Sequence, residues 1–430
     1  MTLASMACVR LTITVALVMT YGAGCSAQDQ RDLRRQLAEA LQKQDLVVVQ
    51  KLISESRRKL GDRAGVPEVA DVFQAIPAKG KWLSKEDAQQ AMERIPEQVD
   101  KVKWWKIGLD PTKLDHALRE VGAVISACVR VHDGKVGASE RCLAEAREAG
   151  DFLIWAQEQA GAGCYPFPTA KGVTKDNAFV AAERYLKQVE RDGRLDQVVR
   201  NGWAFDDAGD GGLQFDNGEA GVAMLELHRA TGEKKYLDSA IRAADWAAAR
   251  PLVTNWNYNS FSVFLLAETY RTTHDKKYLT AATTKALVGV IPGQLTDGPH
   301  AGRWLDAHNA RPAYHYIMLR SLASLVAVLP KDDPSRDETW RSLLLGLKAR
   351  NSDFIERGAP NKDHALQTLL FVNREFAADT HFLDESKSAA ALTALSHLVS
   401  EEARRGKNPL GPRAWGMFLL DAINQGVNLE

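Results

Sequence analysis

Apolar positions recur with helical spacing along most of this 430-residue chain, and strand-like alternation is scarce. In residues 28–60, Leu33, Leu37 and Leu41 place apolar side chains on one helix face. From about residue 112 the pattern becomes regular, and helical segments alternate with loops rich in Gly, Pro, Asn and aromatic residues. The pattern predicts an all-α protein with a helical N-terminal extension over residues 25–111 and a main domain over residues 112–430.

An internal repeat organises the main domain. The stretch Thr231-Gly-Glu-Lys-Lys-Tyr-Leu-Asp-Ser-Ala240 returns 42 residues later, from Thr273, as Thr-His-Asp-Lys-Lys-Tyr-Leu-Thr-Ala-Ala282. The segments upstream of the two copies also share three residues at the same offset. These are Asn217, Glu226 and Arg229 in the first and Asn259, Glu268 and Arg271 in the second. A fainter upstream copy places Asp151 where the first has Asp245. Each unit therefore reads as helix, short polar turn, helix and long loop.

A unit of two helices cannot bury its apolar face alone, so neighbouring units must stack. The periodicity predicts helical hairpins near residues 112–160, 175–200, 217–250, 259–291, 311–350 and 363–425. Units of this length build either an open solenoid or a closed ring. Five or six hairpins suit the closed ring, the (α/α) toroid.

Two loop motifs carry a family resemblance. Gly209-Asp-Gly-Gly-Leu-Gln-Phe-Asp-Asn-Gly218, with the helix and repeat turn that follow, resembles (α/α)-toroid glycoside hydrolases and polysaccharide lyases. Its Asp-Asn-Gly opening is similar to that of pectate-lyase-type toroids, and Gly163-Cys-Tyr-Pro-Phe-Pro168 resembles their Gly-Gly-Tyr/Trp-Pro loops. The resemblance covers about residues 112–330, and it implies a toroid that acts on polysaccharide.

The first 24 residues read as a secretory signal. Arg10 precedes an apolar run at residues 11–19, and this run is too short for a spanning helix. The small-residue segment Tyr21-Gly-Ala-Gly-Cys25 follows it. Cys25 makes the segment resemble a bacterial lipoprotein signal, although Gly22 stands where that pattern usually has Leu. We expect a lipid on Cys25 and a periplasmic or outer-membrane-anchored protein whose only membrane contact is that lipid. Ordinary cleavage nearby is the alternative.

Charge and motifs exclude several classes of function. Lys plus Arg equals Asp plus Glu at 55 each, so no overall positive charge favours a nucleic-acid partner. The sequence has no Gly-x-Ser-x-Gly elbow, phosphate loop or dinucleotide fingerprint. Chemistry is therefore expected in the long loops, which converge at one end of a toroid.

One loop concentrates four carboxylates between Asp206 and Asp216. Asp206, Asp207 and Asp210 are candidate ligands for Ca²⁺, the one cofactor that the sequence suggests. Alternatively, a carboxylate such as Asp216 is the acid, base or nucleophile of glycoside cleavage. In a third interpretation Asp216 or Asn217 caps the next helix and the other carboxylates are solvated.

A second loop, residues 302–315, gathers further candidates for catalysis. In a lyase, Asn309 or Arg311 would neutralise a uronate carboxylate, and His308 or Tyr314 would remove the sugar C5 proton. In a hydrolase, Asp306 would pair with a carboxylate of the first loop at ~5 Å for retention or ~6.5–9.5 Å for inversion. Alternatively, Tyr314 lies inside a helix and Asp306 caps it.

Aromatic and amide side chains in the loops are candidates for sugar binding, because rings stack on sugar C–H faces and amides match hydroxyl groups. These candidates are Tyr165, Phe167, Trp203, Asn255, Trp256, Asn257 and Trp304, together with Asn309 and Arg311. Packing against the core is the alternative for the rings, and local turn formation for the Asn residues. The sequence thus predicts an exported carbohydrate-active enzyme, lyase or hydrolase; the alternative is a non-catalytic lipoprotein that binds glycan or protein through a toroid or solenoid.

Overall fold

Helices make up almost all of the regular structure in the part of the chain that the computed structural model describes. The described residues are 82–170, 177–207, 211–298, 300–304, 312–358, 361–406 and 410–425, with isolated residues between 32 and 55 and backbone alone at 177–181 and 312. The first helices are α1 Lys85–Glu93, α2 Ile95–Val102, α3 Leu118–Asp133, α4 Ser139–Ala160, α5 Asn177–Arg191, α6 Gly212–Thr231, α7 Lys234–Ala249 and α8 Trp256–Thr273. They are followed by α9 Lys276–Gly289, α10 Pro312–Val328, α11 Pro334–Arg357, α12 Lys362–Glu375, α13 Thr380–Glu385, α14 Ser388–Arg404 and α15 Pro412–Gln425.

Six of the described helices form a closed inner ring in the order α3, α6, α8, α10, α12 and α15, with α15 packed against α3. Helices α4, α7, α9, α11 and α14 lie outside them, and α1 covers α15 from the outside. This arrangement confirms the predicted all-α toroid and excludes the open solenoid. Residues 85–93, which the sequence pattern placed in the N-terminal extension, pack on α15 from outside the ring.

The inner helices run parallel to one another. Arg119 near the start of α3 pairs with Asp216 near the start of α6, and Arg130 near the end of α3 pairs with Glu226 in the second half of α6. The amino ends therefore point toward one end of the ring, here called the loop end, although α15 begins deeper, where Arg413 meets Glu219. All carboxyl ends lie at the opposite end, here called the turn end, where short turns lead to the outer helices.

The hairpin predicted at residues 175–200 is wrong. Helix α5 is followed by a 3₁₀ turn at Leu195–Gln197 and the short strand β2. A three-stranded antiparallel sheet forms from β1 Phe167–Pro168, β2 Val199–Arg200 and β3 Trp203–Ala204, with β3 in the centre. Leu186 and Val189 of α5 pack on Val198 and Ala204 in a separate small cluster, so α5 buries its apolar face on this sheet and not in the ring.

Contacts between hairpins confirm the internal repeat. Lys235 forms an ion pair with Asp151 at 2.6 Å, and Lys277 forms the matching pair with Asp245 at 2.9 Å. The repeat turn needs a left-handed residue after the inner helix, which Gly232 supplies with φ 72° and His274 with φ 57°. The same polar turn thus fastens each outer helix to the outer helix before it.

Cys128, Cys142 and Cys164 are buried free thiols. Among the helices of the described residues, none combines the length and the apolar character that a bilayer crossing requires. The predicted signal and Cys25 lie outside the described residues.

Candidate functional site

The Asp216-Asn217-Gly218 motif builds the loop end of the ring. Asp216 is fully buried, and its carboxylate accepts hydrogen bonds from the Arg119 backbone N–H at 3.1 Å and guanidinium at 2.9 Å. Because α3 has no side-chain cap of its own, Asp216 caps that neighbouring helix, where the sequence suggested its own helix. Burial raises the pKa of Asp216, and the Arg119 charge opposes this shift.

The other two residues of the motif fix two further elements. Asn217 accepts a hydrogen bond from the Tyr165 backbone N–H at 3.2 Å and donates one to the Ala243 carbonyl of α7 at 2.9 Å. A Cβ added at Gly218 would lie 2.7 Å from the Phe261 carbonyl oxygen of α8, so only glycine allows α6 and α8 to approach this closely. The motif therefore joins α3, α6, α7 and α8, which is a role in ring assembly.

The predicted calcium ligands are engaged with an arginine. Arg250 donates to Asp206 at 3.1 Å and also contacts Asp207, which is 4% exposed and accepts the Leu213 backbone N–H at 2.8 Å. Asp210 lies outside the described residues. No group of three or more His, Cys, Asp or Glu side chains is gathered for a metal within the described ranges. A cation at Asp206 and Asp207 would have to compete with the Arg250 guanidinium.

Most of the predicted sugar-binding rings are packed in the interior. Tyr165, Trp203 and Trp304 have no exposed surface, and Trp256 is 6% exposed. The Tyr165 hydroxyl hydrogen-bonds to Ser239 at 2.8 Å, and the Trp304 indole donates to the Val290 carbonyl at 2.8 Å. A ring without exposed surface offers no stacking face, so these residues occupy packing positions in this conformation.

Phe167 and the asparagines have mixed surroundings. Phe167 is half-buried in strand β1. Asn255 is the N-cap of α8, where its side chain accepts the Asn257 backbone N–H at 3.1 Å, and Asn257 is 2% exposed. The turn-forming alternative therefore applies to Asn255.

The loop at residues 302–315 is described only in part. Asp306, His308, Asn309 and Arg311 lie outside the described residues. Tyr314 lies in the first turn of α10 and is half-buried, at the loop end. Trp304 lies beside His315 in the first turn of α10, with 5.2 Å between ring centroids, so the described residues on both sides of this segment lie at the loop end.

Arg119 and Phe215 form a partly exposed surface at the loop end that sequence reasoning missed. The Arg119 guanidinium lies 4.5 Å from the Phe215 ring centroid, and Phe215 stacks on Phe261 at 4.2 Å. The Arg119 side chain is 26% exposed although Asp216 anchors it. A fixed cation beside a partly exposed ring suits an anionic sugar.

A cavity of about 610 Å³ lies inside the ring toward the turn end, here called the ring cavity. Its lining is Arg130, Asp133, Val222, Leu225, Glu226, His228, Arg229, Phe264, Glu268, Arg271, Thr272, Arg320, Gln367, Phe371, Arg374, Arg413, Met417 and Leu420. Its floor is a buried ion cluster in which Glu219 binds both Arg320 and Arg413, about midway along α6 and α10. Glu226, Arg229, Glu268 and Arg271 of the repeat all face this cavity.

Two carboxylates in the ring cavity occupy equivalent repeat positions. Glu226 binds Arg130 and Ser126, while Glu268 binds Ser324 and lies 3.4 Å from Arg271. Burial raises the pKa of Glu268, and the Arg271 charge opposes this shift. The sequence identified these positions only as part of the repeat. A charged residue among the apolar positions of an inner helix is the feature that could have indicated a site.

No protein-family model and no curated protein matches the chain. Solved structures do match. A glycosyl hydrolase of family 88 from Bacteroides vulgatus superposes with a TM-score of 0.50 at 11% identity, covering 80% of this chain and 100% of that one. A polysaccharide lyase (TM-score 0.48, 12% identity, 80% and 98% covered) and a sugar epimerase from a ruminal bacterium (0.44, 14%, 87% and 99%) also match. At 11% identity the likeness to the family 88 structure shows a shared fold and not a shared reaction.

Proposed function

We propose that this protein is an exported carbohydrate-active enzyme that cleaves glycosidic bonds of a polysaccharide at the loop end of the ring. The observation that carries the proposal is topological. Arg119, Phe215 and Tyr314 all lie near the amino ends of parallel inner helices, at the loop end of the ring. Sharing the toroid fold with a family 88 glycosyl hydrolase supports this assignment.

Roles at the proposed site follow from burial and pairing. Asp216 acts through Arg119, because a buried, ion-paired carboxylate holds that cation in place and does not touch the sugar. Arg119 would face an acidic group of the substrate, and Phe215 would contact a sugar face. Asp306, His308 and Tyr314 remain the proposed acid–base groups, with Asn309 and Arg311 as proposed substrate ligands.

A polysaccharide screen tests this function. The purified protein is incubated with uronate-containing and neutral polysaccharides, and products are read by the absorbance of unsaturated ends and by reducing ends. Unsaturated ends identify a lyase, and reducing ends alone identify a hydrolase. We expect His308→Ala or Tyr314→Phe to lower kcat by about 100-fold or more, since a general acid or base contributes about that much.

The exposed variant Arg405→Gln is the matched control and is expected to retain full activity, because this residue directly follows the outer helix α14 and its side chain is 70% exposed. Full activity of both His308→Ala and Tyr314→Phe would contradict the proposed residues. Saturable glycan binding without turnover would establish the second candidate, a non-catalytic glycan-binding protein. That candidate is favoured by one observation: Asp206, Asp207 and Asp216 are all paired with arginine.

The export proposal rests on the sequence of residues 1–25. Lipidation of Cys25 would hold the protein at a membrane, so Cys25→Ser is expected to move it to the soluble fraction. Fractionation of cells that produce the two forms measures this shift. An identical distribution of the two forms would contradict the lipid anchor.

A further inference from the structure

The ring cavity differs from an ordinary helical core in its charge. Six guanidinium groups line it, from Arg130, Arg229, Arg271, Arg320, Arg374 and Arg413. Five carboxylates lie in it or pair with these groups in the described residues: Asp133, Glu219, Glu226, Glu268 and Glu375. Asp421 also interacts with Arg374, so arginines and carboxylates surround the cavity in comparable number.

Two of these arginines retain unused hydrogen-bond donors. Arg320 is 4% exposed, and its Nε–H has no partner, although its other groups bind Glu219 and Gln367. The Nη2 group of Arg271 also lacks a hydrogen-bond partner. A buried donor without an acceptor costs about 1–3 kcal/mol, and more for a charged group. An acceptor that enters the cavity would remove this cost.

The floor of the cavity is a desolvated ion cluster. Burial lowers the pKa of Arg320 to about 10 and that of Arg413 to about 9. Glu219 is shared between these two cations, and Glu226 and Glu268 add negative charge near Arg320. An entering acceptor would therefore be held by the unpaired donors and not by an excess of positive charge.

The cavity walls define the rest of the ligand. Phe264 lies 4.3 Å from the Arg320 guanidinium, and Phe371 lies 5.7 Å from that of Arg271, both measured to the ring centroid. Leu225 and Met417 add apolar surface. The volume of about 610 Å³ falls in the range of small-molecule sites, about 300–1,000 Å³. The mouth lies among Asp133, Arg229 and Arg374 at the turn end, where side chains are partly exposed.

We propose that the ring cavity binds a small organic oxyanion with a compact apolar body and carboxylate or phosphate groups that accept hydrogen bonds from Arg320 and Arg271. The site lies at the turn end, across the Glu219 ion cluster from the loop end. It is therefore a second site, separate from the one proposed for polysaccharide cleavage.

Calorimetric titration tests the proposal with three probes of similar size: isophthalate, phenyl phosphate and neutral benzamide. Ionic strength is held constant with NaCl, because screening weakens charge interactions. We expect one saturable site for at least one of the two anions and none for benzamide. Binding of isophthalate alone assigns a carboxylate ligand, and binding of phenyl phosphate alone assigns a phosphate ligand.

Two variants locate the site. Arg320→Lys keeps the charge next to Glu219 but removes the unpaired Nε–H, and Arg271→Gln removes the outer cation. Each is expected to weaken binding about tenfold or more, the usual effect of losing a hydrogen bond to a charged group. Arg405→Gln, at the exposed residue that follows α14, is the matched control and is expected to bind like the unchanged protein.

Circular dichroism checks that each variant is folded, and Arg271→Gln keeps the test valid if Arg320→Lys is not. Saturable binding lost in the cavity variants and kept in the control supports the site. The proposal is overturned if neither anion binds, if benzamide binds equally well, or if the folded cavity variants bind as tightly as the control.

Discussion

The hairpins α6–α7 and α8–α9 come from the same repeat, yet they face the ring differently. Their outer contacts agree, since Lys235 and Lys277 each bind an aspartate of the preceding outer helix. Their inner faces diverge at one matched position, where α6 has the buried Glu219 and α8 has the buried Phe261. The repeat therefore preserves how hairpins stack, while single substitutions on the inner face decide what the ring holds.

Replacing Glu219 by Gln is expected to have the largest effect on stability, because it removes the charged group that distinguishes α6 from α8. The change leaves Arg320 and Arg413 buried without their shared carboxylate, and we expect it to lower the free energy of unfolding by about 3–5 kcal/mol. Glu401→Gln is the control, since Glu401 pairs with Arg405 at the surface and should cost about 0–1 kcal/mol. Urea denaturation measures both, and equal costs would mean that the floor is not held by its ion pairs.

The matched asparagines sharpen the comparison at the next level. Asn259 makes three hydrogen bonds, to the Val253 N–H, the Val253 carbonyl and the Gly289 carbonyl, whereas Asn217 makes two, to the Tyr165 N–H and the Ala243 carbonyl. We expect Asn259→Ala to cost about 3 kcal/mol and Asn217→Ala about 2 kcal/mol, because each leaves buried backbone groups unpaired. Denaturation midpoints give the ranking, and the reverse order would contradict it.

The smallest expected effect concerns the tyrosines of the repeat turn. The Tyr278 hydroxyl donates to the Asp245 carboxylate at 2.9 Å, while the Tyr236 hydroxyl reaches the Arg147 carbonyl only at 3.5 Å. Tyr278→Phe should therefore cost about 1.5 kcal/mol and Tyr236→Phe about 0.5 kcal/mol or less. Thermal denaturation of the two variants side by side is the measurement, and indistinguishable shifts would mean that the two turns are energetically equivalent.

Local periodicity and the repeat were sufficient to predict the toroid. They were not sufficient to predict how it closes. Helix α1 packs on α15 from outside the ring. The Leu83 N–H before it donates a hydrogen bond to the Ser400 hydroxyl of α14. No local pattern reveals a partner more than 300 positions away along the chain. The helical hairpin predicted at residues 175–200 was wrong for the opposite reason. Its apolar positions do have helical spacing, but they are buried on a small sheet and not in the ring.

The site was less predictable than the fold. Trp203 and Trp304 lie in loops rich in polar residues, which suggested ligand contact, yet both rings are fully buried. A sequence gives the composition of a loop and not the direction in which its rings point. Glu268 and Arg271 were visible as repeat positions, but their meeting with Arg320 depends on the packing of α8 against α10.

The contact between α15 and α3 also determines when the ring can close during synthesis of the protein. Gly416 allows this contact, since a Cβ there would lie 3.0 Å from the Ala127 Cα. Because α15 occupies residues 412–425, a nascent chain cannot complete the circle until these residues have been made. A stop before residue 412 would therefore release an arc with two bare helix edges, prone to association with other chains.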